Sequence, residues 1–251
     1  MRHAIITAGS KGLGRKVSET LLDEGYSLTI NYRSEKVIGH LREVWADKLE
    51  RIQFVKGDVT IKGDLVNLVE KAYERFSRID VLVLNAGPYI FERKKLMDYS
   101  DDQWLQMIDG NLSSAFYLFK QVIPIMREQK YGRIITYGFQ EAQHAPGWVY
   151  RSAFAAAKVG LVSLTKTISI EEAEYGITAN MVCPGEILGE MKEANIEDAR
   201  TAYDEETSIG RSGTGEDIAR TILFLSEPKA DMVTGAVVEV TGGVDVLHKY
   251  R

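Results

Sequence analysis

The stretch Ala4-Ile5-Ile6-Thr7-Ala8-Gly9-Ser10-Lys11-Gly12-Leu13-Gly14 decides the fold. A short apolar, β-branched run leads into a turn carrying three glycines, and the turn opens a segment with Val17, Leu21 and Leu22 at helical spacing. In such a turn glycine lets the backbone pass close to a pyrophosphate. The helix start adds free N–H groups and a partial positive charge. The spacing G-x-x-G-x-G departs from the generic G-x-G-x-x-G fingerprint, and a plain strand–helix turn would read the same way. Its place directly after the first strand of an alternating chain favours a nucleotide.

Outward from that turn the alternation continues. Strand-length apolar runs recur at 27–32, 52–57, 80–85, 133–138, 177–182 and 236–241. Near-continuous apolar runs suit strands covered by helices on both faces. Between them, Leu65, Leu68, Val69 and Ala72 form one helical stripe, and Leu112, Phe116, Phe119, Ile123 and Met126 another. The pattern predicts an α/β fold: a single doubly wound Rossmann-type domain over 1–251 with a seven-stranded parallel sheet. At 251 residues, without linker, repeat or low-complexity segment, one domain suffices. Residues 186–214, charged and Gly-containing, are expected to form a flap over a substrate site; an ordinary surface helix pair fits the same composition.

Composition narrows the function. With 31 Lys+Arg against 36 Asp+Glu, the net charge of −5 gives no electrostatic footprint for nucleic acid. One cysteine excludes a disulfide framework or a multi-cysteine zinc site, and no metal is expected. No run of 18 apolar residues suggests a membrane span. Met1-Arg2-His3 precede the first strand directly, so the expectation is a cytoplasmic protein without a signal peptide.

Beyond the turn, further motifs follow in a fixed order: Asp58-Val59, Asn85-Ala86-Gly87, Asn111, Gly132-Arg133-Ile134-Ile135, Ala155-Ala156-Ala157-Lys158, Asn180-Met181-Val182-Cys183-Pro184-Gly185 and Thr241-Gly242-Gly243. Together they resemble the short-chain dehydrogenase/reductase family, most closely the 3-oxoacyl-acyl-carrier-protein reductase group. Residues 7–14 match that family's T-G-x-x-x-G-x-G signature except for Ala8. The resemblance implies an NADP(H)-dependent reduction of a carbonyl-type substrate, small or carried on an acyl carrier. It also implies a homodimer or homotetramer built on helices near 101–130 and 148–174.

The resemblance also distributes the cofactor. Gly9, Ser10, Lys11, Gly12, Leu13 and Gly14 would cradle the pyrophosphate. Asp58 and Val59 would flank the adenine, Asn85, Ala86 and Gly87 the adenosine ribose. Pro184, Gly185 and Ile187 would line the nicotinamide, whose ribose Lys158 would bind. At the end of the second strand, Asn31-Tyr32-Arg33-Ser34 carries no carboxylate to accept from a ribose 2′-hydroxyl. Arg33 and Lys11 instead offer cations to a 2′-phosphate, which points to NADP(H); as isolated residues both would also read as solvated surface charges.

The catalytic pattern breaks in two places. Asn111 and Lys158 are present, but the family's Y-x-x-x-K motif reads Phe154-Ala155-Ala156-Ala157-Lys158, and Phe139 stands where the family's serine follows the fifth strand. A phenyl ring has neither proton nor lone pair. Tyr150, one turn ahead of Phe154 if the helix reaches that far, is the candidate donor, with Gln140, Glu141 and His144 as other loop groups. Tyr137 alternates with Ile135 and reads equally as core. A substrate that supplies its own proton, or a protein that binds NADP(H) as a sensor or scaffold without turnover, remain open alternatives.

Overall fold

A computed structural model describes residues 1–205 and 207–247. The strands are β1 (His3–Ile6), β2 (Ser27–Tyr32), β3 (Ile52–Lys56), β4 (Val81–Leu84), β5 (Gly132–Tyr137), β6 (Ile177–Pro184) and β7 (Val237–Val240). They form one parallel sheet in the order β3-β2-β1-β4-β5-β6-β7. Helices α1 (Gly12–Asp23), α2 (Ile38–Val44), α3 (Lys62–Phe76), α4 (Asp101–Ile108), α5 (Ser114–Gln129), α6 (Ser152–Glu171) and α8 (Gly215–Ser226) flank the sheet, and α7 (Ile196–Ala199) lies within residues 186–214.

Both faces of the sheet are covered, as the unbroken apolar strands predict. Ile5 points into a core shared with Leu65, Leu68, Leu118, Phe119 and Leu161. Its neighbours Ala4 and Ile6 point into the other core, with Val17, Leu21, Ile218 and Ile222. That alternation is the two-residue period of a strand. The strand order reverses between β1 and β4, and ligands in open α/β sheets bind beyond the carboxyl ends of the strands at such a switch point.

Two expected helices differ in detail. The stretch near 101–130 is not one helix: a π-helical turn, Asp109–Ser113, separates α4 from α5. The extra residue rotates the following face, so α5 buries Ala115, Leu118 and Val122 while Phe116 stays half exposed. The helix near 148 begins only at Ser152, preceded by Tyr150 in the left-handed region at φ 66°. Tyr150 is therefore not on a helical face. α6 is long and apolar enough to span a membrane by composition, with a mean hydropathy of 1.3, but half of that window is buried and the helix packs on β6 as a core element.

Candidate active site

The turn after β1 is tied down by three polar side chains. The Thr7 hydroxyl accepts from the Ala86 N–H at 2.9 Å, and the Asn85 amide donates to the carbonyls of Thr7 and Ala8. Asn31 accepts from the Ala8 N–H and donates to the Gly57 carbonyl. The carboxyl ends of β1, β2, β3 and β4 are thus cross-linked around the turn. Ala8, where the family carries glycine, sits in the left-handed region at φ 49°. Gly14 is obligatory for a different reason: a Cβ there would lie 2.4 Å from both the Ala8 carbonyl oxygen and the Asn85 amide nitrogen.

At the start of α1 the Gly12 N–H donates to the carboxylate of Glu193 at 2.6 Å, and Arg15 Nη1 donates to the other oxygen at 2.8 Å. Glu193 follows a 3₁₀ turn, Gly189–Lys192, within the expected flap. Lys16 reaches Asn195 of the same segment at 2.5 Å. Residues 193–195 therefore dock on the helix start, and an internal anion stands where the exposed N–H groups and helix dipole favour negative charge. That stand-in shows the cradle accepts an anion, so the residues fit a phosphate-bearing cofactor.

Arg33, largely exposed, pairs with Asp58 at 3.6 Å. Burial pushes the Asp58 carboxyl up, but the N–H and hydroxyl of Thr60, with the Arg33 guanidinium, outweigh it and hold the group below its ordinary value. At the end of β6, Gly185 packs directly on the Thr241 backbone, and Ile187 is buried in the core shared with α8. All the expected cofactor positions outside α6 thus gather at the carboxyl edge of the sheet, Lys11 and Arg33 on its exposed rim.

The expected catalytic residues Asn111 and Lys158 are positioned by the loop after β4, the π turn and α6. Gly87 lies against Asn111, where a Cβ would meet its Oδ1 at 2.2 Å, and Gly110 lies against Pro88. Asn111 Nδ2 donates to the carbonyls of Pro88 and Met107, each at 3.0 Å, while its Oδ1 is buried with no hydrogen-bond partner among the described residues. Leu112 meets α6 at Gly160, one half-turn from Lys158. Lys158 is buried, and desolvation lowers its ammonium to about 8, against the opposing pull of the Cys183 thiol. Burial and the Glu239 carboxylate push Cys183 up to about 12, which leaves it an unreactive thiol.

Aromatic rings fill the space around Lys158. Its ammonium is 5.6 Å from the centroid of the Phe154 ring. Phe154 in turn lies 6.3 Å from Phe139, 6.0 Å from Trp148 and 5.0 Å, edge-on, from Tyr89. Phe154 thus lies over the buried lysine with Phe139 beside it. Of the other loop groups, the Gln140 side chain accepts from the Val246 N–H, while Glu141, whose backbone N–H donates to Glu239, and His144 are exposed residues. Tyr137 belongs to the core on the opposite face, its buried hydroxyl lacking a partner among the described residues. Tyr150 presents its backbone, its carbonyl accepting from the Tyr99 hydroxyl and from Arg151. Tyr89 and Arg151 went unnoticed in the sequence, where only the position of Tyr89 just after Asn85-Ala86-Gly87 offered a signal.

A doubly wound parallel sheet with a glycine turn at its switch point defines a Rossmann-type nucleotide-binding protein. The chain belongs to the short-chain dehydrogenase/reductase family: residues 7–245 match the profile described as enoyl-(acyl carrier protein) reductase. It is 68% identical over 251 residues to YtkK of Bacillus subtilis (strain 168), a provisionally named oxidoreductase, covering 99% of this chain and 98% of that one. It is 33% identical over 241 residues to the 3-oxoacyl-[acyl-carrier-protein] reductase FabG of Escherichia coli (strain K12), covering 96% of each. Among solved structures, a provisionally named 3-oxoacyl-reductase from Bacillus thuringiensis superposes with a TM-score of 0.94 at 61% identity, over 99% of this chain and 100% of that one. ElxO with NADP bound gives 0.84 at 26% identity, over 96% and 98%, and a tyrosine-to-phenylalanine variant of ElxO was solved with NADPH bound.

Proposed function

We propose that the protein is an NADPH-dependent oxidoreductase that reduces a carbonyl-type substrate of the 3-oxoacyl kind, with an atypical active site in which Phe139 and Phe154 replace the family's serine and tyrosine. The observation that carries this reading is the presence of both a buried lysine and a buried carboxamide oxygen without a partner among the described residues. Lys158 and Asn111 Oδ1 are both destabilising in a purely structural core, where an apolar pair of similar shape would pack without desolvation. When bound, the cofactor supplies a hydride. The chain's own residues would do the rest: the turn 9–14 holds the pyrophosphate, Arg33 and Lys11 face a 2′-phosphate, and Asp58, Val59, Asn85, Ala86 and Gly87 border the adenosine. Pro184, Gly185 and Ile187 close the nicotinamide side. Lys158 donates to the ribose, and Asn111 Oδ1 accepts from a water on the way to it.

The Phe154 ring over Lys158, with Phe139 beside it, favours one second reading, an NADP(H)-binding sensor or scaffold without turnover. The ElxO variant supports the binding half of either reading, since a tyrosine-to-phenylalanine change there leaves NADPH bound. A cytoplasmic homodimer or homotetramer fits the exposed apolar residues Leu105 on α4, Phe116 on α5 and Ile170 on α6. The test is NADPH oxidation by a 3-oxoacyl thioester. Turnover supports the enzyme reading, and tight NADPH binding without turnover supports the sensor.

A further inference from the structure

Resting on the hydride-transfer reading, we propose that Tyr89 is the proton donor of this site and that Arg151 positions it. Four observations point there. The Tyr89 ring meets Phe154 edge-on at 5.0 Å, so the phenol is attached to the aromatic cluster over Lys158. Tyr150 makes no ring contact with that cluster among the described residues. Arg151 Nε donates to Tyr89 Oη at 2.6 Å. A guanidinium has donors and no acceptor, so this bond leaves the phenol's own proton unused and free to go to a ligand.

Arg151 is also held in place. Its Nη1 donates to the carbonyls of Glu92 and Tyr150, its Nη2 to that of Phe91, and its Cζ lies 5.0 Å from the Tyr89 ring centroid. The left-handed backbone at Tyr150 turns its carbonyl toward Arg151 and the Tyr99 hydroxyl. A non-glycine residue persists in that region only when its surroundings compensate. The result is a fixed cation beside the oxygen on which negative charge develops when the phenol gives up its proton.

The step balances. The hydride pair forms a new C–H bond at the carbonyl carbon, and the C=O π pair moves onto oxygen. The Tyr89 Oη–H bond breaks, and its proton joins that oxygen to give the alcohol. NADPH is oxidised and the carbonyl reduced; the phenolate, paired with Arg151, recovers a proton from water.

The test uses acetoacetyl-N-acetylcysteamine as the ketone, NADPH oxidation for rate and NADPH fluorescence for affinity. Tyr89→Phe keeps the ring contacts and removes only the hydroxyl. It is expected to lower kcat by about 10²–10⁴-fold with NADPH affinity unchanged, and to abolish the wild-type solvent deuterium isotope effect on kcat. Phe154→Tyr added to Tyr89→Phe is expected to restore turnover, and Tyr150→Phe to leave kcat within about threefold of wild type. A role confined to pinning the loop would move KM or stability and spare the isotope effect. The proposal is overturned by full kcat in Tyr89→Phe, by loss of kcat in Tyr150→Phe instead, or by more than about tenfold weaker NADPH binding in Tyr89→Phe. It is equally overturned if the wild type is inert and Phe154→Tyr alone turns the ketone over, since Tyr89 then delivers no proton. If both are inert with NADPH bound, the hydride-transfer reading itself fails, and the Tyr89 role with it.

Discussion

Replacing Glu193 with glutamine should tighten NADPH binding. The Glu193 carboxylate occupies the start of α1 through the Gly12 N–H at 2.6 Å and Arg15 at 2.8 Å, with side-chain exposures of 37% for Glu193 and 22% for Arg15. A pyrophosphate reaching the same N–H must release it. A buried charge-assisted hydrogen bond contributes about 1.5–3 kcal/mol, whereas an exposed ion pair contributes about 0–1 kcal/mol. Glu193 is more than a third exposed, so the discounted figure is about 1 kcal/mol, or roughly a fivefold lower Kd for Glu193→Gln at low ionic strength. Fluorescence titration measures it directly. The difference should shrink as salt rises toward ~1 M, where the Debye length falls to about 3 Å. An unchanged Kd would remove the carboxylate as a competitor. A weaker one would mean that Glu193 instead holds the turn in its binding conformation.

NADPH should bind at least about tenfold more tightly than NADH, a difference of about 1.4 kcal/mol, and Arg33→Asp should narrow the gap; equal affinities by titration would refute the role of Arg33 and Lys11. Sedimentation at micromolar concentration should find a dimer or tetramer, and a clean monomer would refute the assembly. Burial lowers the Lys158 ammonium from 10.5 to about 8 while the unfolded chain keeps its proton to the higher value, so stability rises with pH across that window. Lys158→Met should therefore raise the free energy of unfolding at pH 7, by an upper limit of about 3 kcal/mol and with a higher Tm, and much less near pH 10, while impairing cofactor binding. Burial likewise lowers His3 from 6.5 to about 4 despite the Arg78 carbonyl, so stability should fall as pH drops through that window, and denaturant unfolding of His3→Gln should show a flatter slope.

The architecture was legible because it is repetitive. Each strand contributes an apolar run, each crossover a 3.6-residue stripe, and Ile5 between Ala4 and Ile6 shows the alternation that sends neighbours to opposite cores. The turn at 7–14 was legible from its glycines, and the structure adds a reason for one of them in the Ala8 and Asn85 atoms that crowd Gly14. The misreadings occur where the period breaks. The π turn at Asn111 inserts a residue that helical spacing does not register, and it moved Phe116 outward. Tyr150 carries no glycine or proline to announce a left-handed conformation, so spacing alone placed it on the helix.

Contacts between aperiodic segments were illegible for a different reason. Glu193 meets Gly12 across 181 residues and Arg151 meets Tyr89 across 62, and neither pair lies on a stripe or follows a fixed spacing. Their consequence is nonetheless specific. The Phe154 ring over Lys158 and the Phe139 ring beside it offer neither proton nor lone pair, yet the buried ammonium and the Asn111 oxygen, partnerless among the described residues, remain. Conventional core packing would replace both with apolar groups, because each is destabilising without a ligand or water to satisfy it. The buried Lys158 ammonium, the Asn111 oxygen and the Tyr89 phenol, whose oxygen accepts from Arg151, are the groups on which the proposed reduction depends.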